Sequence, residues 1–142
     1  MPNPAGLRGL LDTSVVIALD QLDPRTLPRE AAISAVTLAE LAAGPHATSD
    51  GAERARRQDR LQRVEATFEP IPVDANVARA YGRIYAAVVA AGRKARGRRA
   101  FDLLIAATAL SEGLPLYTAN PDDFTDVAGL VEVVPVPLPP AR

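Results

Sequence analysis

LLDTSVVIALD, residues 10–20, decides how this chain is read. Leu10 and Leu11 form the end of a buried strand, and Val15, Val16, Ile17, Ala18 and Leu19 form a short apolar helix behind it, so Asp12, Thr13 and Ser14 fall where the strand stops. In an open parallel sheet the carboxyl ends of the strands face the crevice that takes ligands, and an acid at that point is aimed at a site. The same three residue types are good helix N-caps, because their short oxygens accept from the orphan amides of a first turn. Capping alone accounts for the triplet.

Working outward, 142 residues suit one domain, 1–142, with a core of its own and a proline-rich tail at 137–142. With 48% hydrophobic and 23% charged residues, the composition is that of a globular chain and not a disordered one. There is no cysteine, which excludes disulfides, zinc–thiolate sites and thiol nucleophiles. Residues 1–9 carry one basic residue and no long apolar core, unlike a secretory signal. No segment nears the roughly 18 unbroken apolar residues of a membrane span. The expectation is a soluble cytoplasmic protein with no membrane partner. A net charge of −1 gives no global attraction to nucleic acid, so such a partner needs a local patch.

After a loop at 23–30, residues 31–35 read as the second strand and 36–43 as an apolar helix closed by Gly44 and Pro45. Thr37 and Glu40 have the T-x-x-E spacing of a capping box. Against that, Glu40 is flanked by Leu38, Ala39, Leu41, Ala42 and Ala43, where a carboxylate is costly unless a cation or hydrogen bonds meet it. Residues 51–67, rich in arginine and glutamate, read as a solvated amphipathic helix, with RNA contact the minor alternative. Residues 68–73 read as an edge-like strand or extended connection. Asp74 caps a helix over 75–91 whose apolar face (Val77, Ala80, Tyr81, Ile84, Val88, Ala91) is core or, in part, a dimer seam.

Residues 92–99, GRKARGRR, form a flexible cationic loop, either solvated or a nucleic-acid contact. Behind it Asp102 stands in the first turn of a helix over 103–111 that is apolar nearly all round, where complementing the helix dipole is one sufficient role. Residues 114–118 are the next strand, running into the turn signal TANPDDF at 118–124, and 130–136 are the last. Strand and helix signals alternate, which predicts an α/β domain with a mostly parallel sheet of four to five strands and helices on both faces.

Each acid has a capping explanation, but Asp12, Glu40, Asp102 and Asp123 can all project over one sheet edge. Two unit charges about 4 Å apart repel by about 4 kcal/mol at an effective dielectric of 20, so four gathered carboxylates call for a cation. Oxygen ligands without histidine or sulfur suit Mg²⁺ or Mn²⁺, which commonly bind substrate phosphates.

The motifs LLDTSVVIAL (10–19), TLAEL (37–41), FDLLIAATAL (101–110) and TANPDDF (118–124) together resemble the PIN-domain family, and within it the VapC-type toxin ribonucleases of bacterial toxin–antitoxin pairs. That resemblance implies a PIN-like α/β/α sandwich and a metal-dependent endoribonuclease neutralised by a cognate VapB-type antitoxin. It also implies a homodimer, assembled as a heterotetramer or larger with the antitoxin. Position by position it implies that Asp12, Asp102 and Asp123 hold Mg²⁺ or Mn²⁺, with Glu40 as the further catalytic acid. Thr13, Ser14, Thr118 and Asn120 are then the supporting polar residues. Asp123 is preferred to the adjacent Asp122 because Phe124 follows it. Arg93, Lys94, Arg96, Arg98 and Arg99 are the candidate RNA-binding residues. They position a backbone without reading sequence.

Rival readings are a Mg²⁺-binding receiver-like signalling module and a PIN relative acting on DNA. The receiver expects an acidic pair after the first strand and a lysine after the last, whereas Thr13 follows Asp12 and the last strand runs into Pro135. A histidine-dependent hydrolase has only His46, in a loop beside Pro45, to draw on.

Overall fold

A computed structural model describes residues 6–95 and 97–140. Among these residues four parallel strands lie in the order β2-β1-β3-β4: β1 Arg8–Leu11, β2 Glu30–Ile33, β3 Leu116–Thr118 and β4 Val133–Pro135. The helices are α1 Thr13–Ala18, α2 Ala35–Ala43, α3 Gly51–Thr67, α4 Ala75–Ala90 and α5 Arg98–Glu112. Parallel neighbours need crossovers, and helices serve that purpose here.

The period-2 alternation of strand side chains divides the core in two. Leu10, Ala32, Leu116 and Val133 face one cluster, completed by Val77, Ile84 and Val88 of α4 and by Leu103, Ala106 and Ala107 of α5. Leu11, Ala31, Ile33, Tyr117 and Val134 face the other, completed by Val15 and Val16 of α1, Leu41 of α2 and Val64 of α3. Leu10 and Leu11 are fully buried because β1 is central and covered on both faces.

Several sequence boundaries shift for local reasons. Ser34, expected inside the second strand, instead caps α2 by accepting the Val36 amide at 3.0 Å. Thr37 is therefore inside the helix and fully buried, and the capping-box reading of Thr37 and Glu40 falls. The strand expected over 114–118 begins at Leu116, since Leu114 still closes α5, donating its amide to Ala109 O beyond the left-handed Gly113. Likewise Leu130 and Val131 donate to Val127 O and finish the 3-10 segment Pro121–Val127 before β4 begins. Pro135 is accommodated because β4 is an edge strand, where a missing amide leaves no ladder partner wanting. Residues 68–73 are an extended connection with a single bridge, Ser34 to Ile71.

The Tyr117 ring lies across Gly9 on the β1 face it shares with β3. A Cβ at Gly9 would fall 2.3 Å from Tyr117 Cε1 and 3.2 Å from Pro28 Cγ. Gly9→Ala is accordingly expected to destabilise the fold by roughly 1–3 kcal/mol, the cost of overpacking a dense core, read as a lower urea midpoint at unchanged slope.

Candidate active site

In the order β2-β1-β3-β4 the chain leaves β1 for one side of the sheet and returns to the other at β3, so a crevice opens beyond the carboxyl ends of β1 and β3. Asp12 follows β1, and Thr118 ends β3. Asp12 proves to be both a cap and a site residue. Its Oδ1 accepts the Val15 amide at 3.1 Å, capping α1, and the Ser14 hydroxyl at 2.5 Å. Ser14 Oγ in turn accepts the Ala119 amide at 3.1 Å, which ties the turn after β1 to the turn after β3. Thr118 adds a side-chain bond to Asp12, and its Oγ1 accepts the Asn120 amide at 2.9 Å. Burial pushes the Asp12 carboxyl above its ordinary range, while the bonds from Ser14, Thr118 and Val15 oppose the rise.

Glu40 reaches the same place from α2. Thr13 Oγ1 donates to Glu40 Oε1 at 2.7 Å and lies 3.1 Å from Thr37 Oγ1. A carboxylate can only accept, so the Thr13 proton goes to Glu40 and Thr37 donates to Thr13. The costly neighbourhood seen in the sequence is answered by these hydroxyls.

Asp102 lies in the second turn of α5, because the helix starts at Arg98 and not at residue 103. Complementing the dipole of a first turn is therefore not its role. Burial first, then the charges of Glu40, Asp12 and Asp123, push its carboxyl up to about 6, with Arg99 acting in the opposite sense. Of the neighbouring pair, Asp123 and not Asp122 is among the charges that raise it. Among the described residues no three histidine, cysteine, aspartate or glutamate side chains converge closely enough to clasp an ion unaided. The four acids thus share a field and not a contact. Their donor set is oxygen alone, and the mutual repulsion recorded at Asp102 is of the sign that a hard divalent cation relieves.

Thr13, Ser14, Glu40, Asp102 and Asn120 line a cleft of about 720 Å³. Its remaining walls include Ile17, Phe101, Glu53, Arg57 and Arg60. Neither of these α3 arginines is singled out on sequence grounds, where RNA contact by the helix as a whole is only the minor alternative. Their helix reads as a solvated face, and nothing local shows that α3 closes one side of the acidic cleft.

The basic loop is only partly what its composition suggests. Arg99 donates from Nη2 to Asp126 Oδ2 at 3.1 Å and from Nη1 to the Asp123 carbonyl, and Arg93 Nε stands 3.3 Å from the same Asp126 oxygen. These bonds brace the start of α5 against the segment that carries Asp123. Lys94 is exposed, Arg98 opens α5, and Arg96 lies outside the described residues. Arg99→Ser would leave the buried Asp126 carboxylate with Arg93 alone, so a loss of roughly 1–3 kcal/mol in urea unfolding is expected. Lys94→Ser should stay within about 0.5 kcal/mol of wild type.

The arrangement defines a class: a parallel α/β sheet whose strand ends gather hydroxyl-steadied carboxylates around a cleft. Residues 9–130 match the PIN domain, and the chain belongs to the PIN-domain family. Ribonuclease VapC5 of Mycobacterium tuberculosis is 41% identical over 133 residues, covering 90% of this chain and 95% of that protein. Ribonuclease VapC of Rickettsia bellii is 31% identical over 137 residues, covering 91% and 96%. Among solved structures, VapBC-5 of M. tuberculosis, a member of the VapBC family of toxin–antitoxin systems, aligns with a TM-score of 0.78. It is 40% identical and covers 92% of this chain and 98% of its own. The expected PIN-like fold with a mostly parallel sheet of four to five strands is thereby borne out, with four strands, all parallel, among the described residues.

Proposed function

We propose that this protein is a metal-dependent endoribonuclease toxin that hydrolyses RNA phosphodiester bonds and is neutralised by a cognate VapB-type antitoxin. The observation that carries the reading is the field of Glu40, Asp12 and Asp123 on Asp102 at the mouth of β1 and β3, in a chain 41% identical to a ribonuclease over nine-tenths of its length. PIN-domain ribonucleases are in general metal-dependent. Asp12, Asp102 and Asp123 would hold Mg²⁺ or Mn²⁺. When bound, such an ion lowers the pKa of water and neutralises charge on a phosphate.

The chain's own residues do the rest. Thr13 fixes Glu40 by its Oε1, so that Glu40 is oriented to take the proton of the attacking water. Ser14 and Thr118 hold Asp12 in one rotamer, and the peptide of Asn120 is drawn in by Thr118. Arg93, Lys94, Arg96, Arg98 and Arg99 remain the contacts proposed for the RNA backbone, and of these Arg93 and Arg99 also brace Asp126. Exposed Tyr85 and Val89 on the outer face of α4 support a homodimer, testable by light scattering, in which a monomer mass at micromolar concentration would refute it. The proposed site of action is the cytoplasm; among the described residues no helix is long and apolar enough to cross a membrane.

The deciding experiment incubates the protein with single-stranded RNA and, separately, DNA, each with Mg²⁺ or Mn²⁺ and then with excess EDTA. RNA cut only in the presence of metal is the expected result. Cleavage of DNA alone would assign the protein to DNA, and metal binding with neither substrate cut would point to a signalling module.

A further inference from the structure

Five arginines lie along α3, and they are not equivalent. Arg54 donates to the carbonyls of Pro45 and Thr48, Arg56 pairs with Glu53, Arg57 binds Glu53 and the Gly44 carbonyl, and Arg63 pairs with Asp20 and Asp59. Arg60 alone has no hydrogen bond or ion pair among the described residues, although it is partly buried. It lines the acidic cleft and also the adjoining groove of about 440 Å³ between α1 and α3, so it stands where the two meet. Its guanidinium is committed to no acceptor among the described residues, and five donors in a rigid fork match a phosphate.

We propose that Arg60 holds a phosphate of the RNA strand beside the scissile one, at the point where the strand passes from the acidic cleft into the α1–α3 groove. This rests on the ribonuclease reading above. Three features of the cleft fit that ligand. The acids Glu40 and Asp102 repel a polyanion, and Arg60, on the opposing α3, supplies the compensating charge at the exit. Phe101, 47% exposed in the same cleft, presents a face on which an unpaired base stacks. In the groove beyond Arg60 the other cations are already met by acids, Arg56 by Glu53 and Arg63 by Asp20 and Asp59, which leaves Arg60 to take the phosphate there. Arg60 is thus a binding residue for the substrate backbone.

The test compares wild type, Arg60→Gln, Arg60→Lys and, as a control on the same helix, the paired and exposed Arg56→Gln. Binding of a fluorescein-labelled single-stranded oligoribonucleotide is followed by anisotropy in EDTA between about 50 and 200 mM NaCl. Arg60→Gln is expected to weaken binding several-fold and to lower the slope of log K against log salt by about 0.7, the loss of one phosphate contact on a single strand. Arg60→Lys should keep that slope, and Arg56→Gln should match wild type. With metal added, the loss in Arg60→Gln should fall chiefly in KM. A slope unchanged by Arg60→Gln, an equal loss in Arg56→Gln, or no RNA binding by wild type overturns the proposal. Failure of the ribonuclease reading looks different: wild type then leaves RNA uncut with Mg²⁺ and Mn²⁺, whatever the slopes.

Discussion

Asp102→Asn should reduce RNA cleavage by roughly 10²–10⁴-fold, the span that removing one positioned acid–base or charge-stabilising group produces, while leaving the chain folded. Asp102 is singled out because it lines the cleft and because the charges of Glu40, Asp12 and Asp123 all register on it. Asparagine keeps the size and most of the hydrogen-bonding capacity of the side chain and removes its charge. A loss caused by the charge would therefore appear in turnover without a fall in melting temperature. Single-turnover cleavage of a labelled RNA with Mn²⁺, with circular dichroism as the check on folding, gives the answer. Cleavage at wild-type rate in Asp102→Asn, or in wild type with excess EDTA, would end the metal-dependent mechanism.

The second large effect concerns stability. For an acid whose folded pKa is raised, the native state binds more protons than the unfolded one between the two pKa values, so stability falls as pH rises through that window. Asp102, at about 6 in the fold against an ordinary 3.8, makes the metal-free protein lose stability between about pH 4 and pH 6 and keep the loss above it. Asp12, raised by burial, acts in the same direction. Asp102 is only half-buried, and solvent screening limits its share to about 1–2 kcal/mol.

A divalent ion bound only by the folded state should reverse this, adding about 2.7 kcal/mol at a hundredfold excess over its Kd, or roughly 10 °C in Tm for a chain of this size. Asp12→Asn is expected to keep the α1 cap, since asparagine also accepts from Val15 N. It should be as stable as wild type in EDTA and gain much less with Mn²⁺. Melting curves of both proteins at pH 5 and pH 7.5, with EDTA and with Mn²⁺, measure all of these. Equal Mn²⁺ shifts in the two proteins would show that Asp12 is a cap and no ligand.

Where a signal was local, it was legible without the fold. The apolar pair before Asp12 and the apolar run after Ser14 announced β1 and α1, and the cap Asp74 and the closing Gly113 mark real helix ends. That Asp12, Glu40, Asp102 and Asp123 come near one another was likewise legible, from acids at elements' ends or amid apolar neighbours and from four ordered motifs. Short-range hydrogen bonding and periodicity depend on residues a few positions apart, and those are adjacent in the text as well as in space.

Tertiary structure decided which distant groups meet. Only the order β2-β1-β3-β4 puts Ser14 under the amide of Ala119 and makes β1 and β3 the mouth of the site. Only the packing of α1 on α2 turns the apparent capping pair Thr37 and Glu40 into partners of Thr13. Arg99, one of five similar cations in the sequence, is a brace because Asp126 happens to pack beside it, and Arg60 reaches the cleft because α3 folds across its wall. A charge far along the chain exerts no influence on local conformation, so no pattern within one segment records it. Its field acts through space once the chain has closed, and the rise of the Asp102 pKa, caused in part by residues on three other elements, is a property of the fold.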